Sequence, residues 1–290
     1  MPDNPVLSVI IVTWNSGDEI TRCIDSIKEN FPESGLEIIV IDNNSSDNTL
    51  EFLKGTESRD SNCLHLIVNK ENIGYTKACN QGIEISKGDY ILLLNPDTEI
   101  LDGALEKLIS ELNSSGKTGA AAPKLLNDDG SIQKSCRTFP GYSDMFFELT
   151  LLSRIFPESR TFSRWKMNYF DHDSRREVDQ PMAAALMVKR KVMETAGGFD
   201  ERFIMFFNDV DLCRKIHDSG FKIIFCPEAV IRHSKGVSIY KDRERMIRIW
   251  NKDCSEYFRK YHGNTMLLNL LKAGLKISEF VRIFLYKLSK

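Results

Sequence analysis

The stretch "DYILLLNPDTEI" (89–100) decides the fold. A short unbroken apolar run, closed by Asn95, Pro96 and Asp97, fits a strand buried on both faces. Similar runs precede it: "LSVIIVTW" (7–14), "LEIIVID" (36–42) and "LHLIVN" (64–69). Amphipathic segments separate them. The first spans about 17–30, with Ile20, Cys23, Ile24 and Ile27 on one face. The next is a short Ser-capped helix in "SSDNTLEFLK", and then one over 75–86, with another over 102–114 after the fourth strand. This βαβαβαβ rhythm predicts an α/β fold with a mostly parallel sheet covered on both faces. Ligands of such sheets lie beyond the carboxyl ends of the strands. Those ends carry Thr13-Trp14-Asn15, Asp42-Asn43-Asn44 and Asn95-Pro96-Asp97.

The rhythm then changes. "GAAAP" (119–123) reads as a small-residue strand, and "LLNDDGSIQ" holds an Asp-Gly turn that predicts a hairpin. Further strands are expected at 182–190 and at "FKIIFCP" (221–227), with a short Gly-closed helix at "VMETAGG" between them. Residues 141–178 show no usable periodicity, and 240–290 read as helical.

The net charge of −2 gives no signal for nucleic acid. From Tyr240 to Lys290, however, twelve Lys or Arg stand against five Asp or Glu. Over 264–288 these cations punctuate Leu, Ile, Phe and Val, which fits either a helix docked on an anionic membrane or one packed on the body or in a homodimer interface. Seven cysteines without a Cys-x-x-Cys pair point to reduced thiols in a cytoplasmic protein. The N-terminus lacks the basic region and cleavage site of a signal peptide, and no apolar run reaches the ~18 residues of a spanning helix.

Several residues at these positions carry chemistry. Asp42 can accept the imide N–H of a uracil or thymine while Trp14 stacks on the ring, although "DNNSSDN" also suits a capping loop. Asp97 is a hard oxygen ligand for Mg²⁺ or Mn²⁺, aimed by Pro96, or else a turn residue. In "NIGYTKACNQG" (72–82), Gly74 opens a helix whose N-terminus favours an anion, or simply packs on the sheet. His233 follows the strand "CPEAVIR" as a nitrogen ligand or an exposed loop residue. In "FFNDVDLCRK", Asn208 reads as an N-cap, Asp209 as N1 and Asp211 as N3. Helical positions two apart point ~200° apart, so only one of these carboxylates can face a cleft. Asp211 suits the cap, and Asp209 is left for a ligand.

Six segments taken in order, "SVIIVTWN", "IIVIDNNSSDNT", "NIGYTKACNQG", "YILLLNPDTEI", "AGGFDERFIMFFNDVDLCRKI" and "AVIRHSKG", resemble family 2 glycosyltransferases of the GT-A fold, in the rhamnosyltransferase-like branch. The resemblance implies an inverting transfer of a sugar, with dTDP-rhamnose as the first candidate donor, to a hydroxyl of a glycan or lipid-linked glycan. It places Thr13, Trp14, Asn15, Asp42, Asn44, Gly74, Lys77 and Asn95 around the donor nucleotide. Asp97 and His233 would hold the divalent metal, Mn²⁺ or Mg²⁺, and Asp209 would be the general base. Two departures stand out: Asn208 occupies a place where the family commonly has an acid, and Asn95 replaces the first acid of the Asp-x-Asp motif.

The expected organisation is a GT-A domain over 1–239, with a nucleotide-sugar half (1–125) and an acceptor half (126–239), followed by a basic helical tail (240–290). A nucleotidyltransferase would need a Gly- and basic-rich loop after the first strand, where "TWNSGDE" is a poor match. A dinucleotide oxidoreductase would need the missing glycine fingerprint. A non-catalytic sugar-nucleotide-binding protein is the remaining rival, motivated by Asn208.

Overall fold

The structure, a computed structural model, describes residues 5–59, 63–234 and 243–288. The chain start, the junction expected at 239–240, and Lys235 and Gly236 of the last matching segment lie outside these residues. The expected parallel core is present. Strands β1 (Leu7–Thr13), β2 (Leu36–Asp42), β3 (Leu64–Val68) and β4 (Tyr90–Leu94) alternate with helices α1 (Glu19–Glu29), α2 (Thr49–Arg59) and α3 (Tyr75–Ile85). β1 lies between β2 and β4, parallel to both, and Thr13 stands opposite Asp42, so the strand ends bearing the candidate residues fall side by side. Val9 and Ile11 of β1 join one core with α1 and with α4 (Ala104–Asn113). Ile10 and Val12 join the other, with α3, α7 (Arg190–Ala196) and α8 (Asn208–Asp218). Alternate side chains thus enter different cores, which is why the strand sequence is apolar throughout.

The second half makes the sheet mixed. β5 (Thr98–Ile100), β6 (Thr118–Leu126), β11 (Ala185–Lys189) and β12 (Lys222–His233) complete the order β3-β2-β1-β4-β11-β6-β12-β5. β11 runs antiparallel to β4 and β6, and β12 parallel to β6. The Asp-Gly hairpin forms as expected, with β7 (Ile132–Gln133) returning on β6. β12 is longer than its sequence suggests. A register shift between Cys226 and Val230 absorbs Pro227, which has no N–H to give, and the strand then resumes. His233 therefore ends β12 itself, paired with Thr98 of β5, instead of following the strand as a loop residue. The same pairing sets it against Asp97.

The unread stretch 141–178 contains α5 (Tyr142–Leu149), α6 (Leu152–Ile155) and β9 (Arg176–Glu177). Just outside it, β8 (Cys136–Arg137) and β10 (Gln180–Pro181) form a two-strand ribbon in which Arg137 and Gln180 are register partners. After the undescribed 235–242 come α9 (Arg243–His262) and α10 (Met266–Leu288). They share a third core with α5 and α8, in which Cys254, Tyr257, Phe258, Leu268, Leu271 and Leu275 pack with Met145, Phe203, Phe207 and Val210.

α9 also holds the chain ahead of α8. The buried Asp253 Oδ2 accepts the backbone N–H groups of Ile204, Met205 and Phe206 at 3.1, 3.0 and 2.9 Å. Burial pushes this carboxyl up, and the three amides pull it back. Asp253→Ala would leave three half-buried donors without their acceptor, and we expect a loss of about 3 kcal/mol or more. A urea denaturation midpoint unchanged from wild type would contradict this.

Candidate active site

A cavity of about 650 Å³ opens at the carboxyl ends of β1 and β4, large enough for a nucleotide sugar. Thr13, Trp14, Gly74, Asn95, Asp97 and His233, all singled out from sequence, line it. The facing wall includes Arg137, Ile204 and Met205, with Arg245, Met246 and Ile249 reaching in from α9. Asn15, Asp42, Asn44, Lys77 and Asp209 were singled out too, but they stand outside this lining.

On the β1–β2 side, Trp14 is 37% exposed and offers an aromatic face. Asp42 is almost fully buried: its Oδ2 accepts from Ser45 N at 3.1 Å, and its Oδ1 has no partner among the described residues. That unused acceptor fits an imide donor reaching the strand end. Asn15, at φ 55°, binds the β2–α2 loop, accepting from Ser46 N at 2.7 Å while its own N–H donates to Ser45 Oγ at 2.9 Å. Asn43 accepts from Ile73 N at 3.1 Å and so steadies the loop entering Gly74. Gly74 itself has φ 90°, a backbone that disfavours a side chain. Asn44 and Lys77 are exposed.

Beyond β4, Asp97 Oδ1 and His233 Nε2 stand 3.4 Å apart, both side chains under a tenth exposed. His233 Nδ1 lies 2.7 Å from Gln133 Oε1. The amide nitrogen of Gln133 is occupied by Asn127 Oδ1 at 3.1 Å and His233 O at 3.4 Å, so Gln133 Oε1 is the acceptor and Nδ1 carries the hydrogen. In neutral imidazole this leaves the lone pair on Nε2, beside Asp97, where the Asn95 amide donates to it at 3.3 Å. A carboxylate oxygen and an oriented imidazole nitrogen suit a divalent ion such as Mn²⁺. Among the described residues no three His, Cys, Asp or Glu side chains gather for a metal. The pair could hold one only with ligands from a bound substrate or water.

α8 begins one residue earlier than expected. Phe207, at φ 58°, is the N-cap and Asn208 the first helical residue, buried with its Nδ2 unpartnered among the described residues. The two acids nevertheless diverge as helical geometry requires. Asp211 is fully buried and accepts from Lys260 Nζ and, at 2.8 Å, from Tyr261 OH, so it ties α8 to α9 rather than capping α8. Asp209 faces the β8–β10 ribbon, where Gln180 Nε2 donates to its Oδ2 at 3.0 Å. Burial raises its pKa; the Val210 backbone amide, the Arg137 guanidinium and the Ala183 amide act in the opposite direction. A carboxylate held in this way is a poised proton acceptor.

Three residues here have no counterpart in the sequence reading. Gln133 orients His233; Gln180 orients Asp209; Arg137 lines the cavity within electrostatic reach of Asp209, its guanidinium 5.8 Å from the Trp165 ring centre. Two-residue strands have no readable periodicity, so nothing in the sequence announced the ribbon. Gln180→Leu removes a donor to the charged carboxylate. If Asp209 is the base, the acid limb of the pH–rate profile is expected to move up by about one pH unit. An unmoved limb, with the thermal midpoint retained, would contradict that role.

The model of the glycosyl transferase family 2 matches residues 8–171, more than half of the chain. This protein belongs to glycosyl transferase family 2. Over 248 residues it is 26% identical to an N-acetylglucosaminyl-diphospho-decaprenol L-rhamnosyltransferase of Mycobacterium tuberculosis, covering 82% of this chain and 78% of that one. It is 31% identical over 130 residues to a GalNAc(5)-diNAcBac-PP-undecaprenol beta-1,3-glucosyltransferase of Campylobacter jejuni, covering 45% and 41% of the two chains. Among solved structures it is similar to the mannosyltransferase PcManGT of Pyrobaculum calidifontis in complex with GDP-Man and Mn²⁺, with a TM-score of 0.61 and 19% identity over 96% of this chain and 70% of that one. The fold is therefore GT-A, with C-terminal helices added, and the family 2 member is a glycosyltransferase.

Proposed function

We propose that this glycosyltransferase is metal-dependent and inverting, and that it moves a sugar from a nucleoside diphosphate to a hydroxyl of a lipid-linked glycan in cell-surface polysaccharide synthesis. The observation that carries the reading is the meeting of Asp97 and His233 on the cavity wall, with Nε2 left as the acceptor. Mn²⁺ or Mg²⁺ held there would neutralise charge on the departing diphosphate. The Mn²⁺ in the PcManGT complex supports the metal. Trp14 and Asp42, with Thr13, would hold the base, Asn15 and Asn44 would shape the loop beside it, and Gly74 would let the diphosphate approach the start of α3. Asn95 would meet the donor beside the metal, while Lys77, exposed one turn into α3, would attract its charge from outside the cavity.

Asp209 takes the proton of the acceptor hydroxyl. As it does so, the oxygen bonds to the anomeric carbon from the face opposite the diphosphate, which leaves with the electrons of its own bond. Residues 1–125 would supply the donor side and 126–239 most of the acceptor side. The rhamnosyltransferase relative supports dTDP-rhamnose as donor, and both relatives support a polyprenyl-diphosphate-linked acceptor; a membrane contact through the basic, apolar 264–288 would bring such an acceptor within reach. No helix of the described residues is long and apolar enough to cross a membrane, so the contact would be peripheral.

A panel of nucleotide sugars, scored by thermal stabilisation with and without Mn²⁺, tests the donor. Stabilisation by dTDP-rhamnose that depends on Mn²⁺ is the expected result. Preference for a UDP-hexose would replace the donor, and indifference to every nucleotide sugar would overturn the reading.

A further inference from the structure

Among the described residues, large exposed apolar side chains concentrate in two places. Met266, Leu267, Leu270, Ile277, Phe280, Val281, Phe284, Leu285 and Leu288 lie on α10, and Phe146, Leu151, Ile155 and Phe156 on α5–α6. These two sets adjoin. Leu268, Leu271 and Leu275 of α10 pack in one core with Met145 of α5, and a Cβ built on Gly274 would come within 2.9 Å of Leu149. Farther along, Arg282 of α10 lies within electrostatic reach of Arg154 of α6 and Arg243 of α9. Arg243 also covers the Tyr286 ring, its guanidinium 5.4 Å from the ring centre.

The charge on this face is mostly basic, although Glu244 of α9 sits within it, paired with Lys287 at 3.5 Å. Lys272, Lys276, Arg282 and Lys287 punctuate α10, and its single acid, Glu279, turns inward to accept from Asn251 of α9 at 3.0 Å. The three arginines repel one another and, beside exposed Phe and Ile, form a basic rim to an apolar face. At 23 residues α10 extends about 35 Å, long enough to lie flat in an interface with its apolar side down.

We infer that α5–α6 and α10 form one composite docking face for an anionic bilayer, with Phe146, Leu151, Ile155 and Phe156 entering beside α10 and the arginines Arg154, Arg243 and Arg282 taking lipid phosphates. This extends the membrane contact proposed above from a tail to a surface that includes the body of the domain. It rests on that reading only for its purpose, delivery of a lipid-linked acceptor. A second copy is the poorer occupant, since self-association would oppose two rims of the same charge. The face also explains the placement of α9. One side of that helix lines the cavity through Arg245, Met246 and Ile249, and its Asn251 reaches Leu275 O of α10 at 3.1 Å. Both α9 and α10 thus stand between the cavity and the docked surface, a separation of about two helix diameters, some 20 Å.

The full chain should co-sediment with vesicles containing phosphatidylglycerol, release with salt, and ignore purely phosphatidylcholine vesicles. Ile155→Glu with Phe156→Glu, both outside 264–288, should lower vesicle binding about tenfold or more, and Arg154→Glu with Arg282→Glu about as much. Donor hydrolysis in vesicle-free solution should be unchanged in both. Binding retained by the α6 variant would overturn the composite face. A wild-type dimer broken by these substitutions, with no vesicle binding, would assign the face to self-association instead. Vesicle binding by a protein inert toward every nucleotide sugar would leave the docking face standing and remove the proposed reaction, so the two failures are separable.

Discussion

Asp209→Asn is expected to lower sugar transfer by about 10²–10⁴-fold while leaving nucleotide binding intact. Asparagine preserves the shape and can still meet the Gln180 amide after a flip, but it cannot take a proton. The wild-type side chain sits where burial raises its pKa, with Gln180, Val210 and Arg137 limiting the rise. The pH dependence has a definite sign. Activity requires the carboxylate, so it falls as pH drops through a pKa above the ordinary aspartate range. Asn208, in the place where the family resemblance implies an acid, is neutral and donates no negative field to Asp209; its own Oδ1 accepts from Asp209 N at 2.6 Å. A single-turnover assay with saturating donor separates the chemical step from binding. Wild-type rates in the variant would remove Asp209 as the base.

Asp97→Ala is expected to reduce donor turnover comparably, but by a different route. With one of the two proposed protein ligands gone, Mn²⁺ would be retained only weakly by His233 and the diphosphate. Manganese binding followed by electron paramagnetic resonance, in the presence of a nucleoside diphosphate, reads this without turnover. Gln133→Leu gives the finer version, because it leaves both ligands and removes only the acceptor that keeps the hydrogen on His233 Nδ1. Loss of such an orienting partner typically costs 10–100-fold in metal affinity. Unchanged affinity in both variants would place the metal elsewhere.

How much of this was legible depended on length of pattern. β1, β2 and β4 are visible as apolar runs because both faces are buried, and their ends carry Thr13, Trp14 and Asp97 in plain view. The continuation of β12 past Pro227 was not visible, because a proline followed by glutamate reads as a strand end unless the partner strand shows the bulge. His233 consequently looked like a loop residue, although it is 6% exposed. Phe207 as the α8 cap was unreadable for a related reason: a positive φ at phenylalanine is imposed by packing against Trp165, Trp250 and Tyr257 and has no local sequence signal. The basic excess after 240 was legible as charge, whereas the role of α9 was not. Asn251 and Asp253 look like surface residues in sequence, yet they are buried and hold α10 and the 204–206 loop.

The dependence on α9 and α10 bears on how the enzyme is tested. Removing the tail would strip Leu268, Leu271 and Leu275 from a shared core, so the full chain and point variants are needed.

The most direct measurement is release of nucleoside diphosphate by the full-length protein from a panel of sugar donors with Mn²⁺, with and without a polyprenyl-diphosphate-linked acceptor, alongside Asp209→Asn. The proposed mechanism predicts Mn²⁺-dependent release with one donor, stimulation by acceptor, a product of inverted anomeric configuration, and near-complete loss in the variant. Binding of that donor with no release under any condition would contradict it.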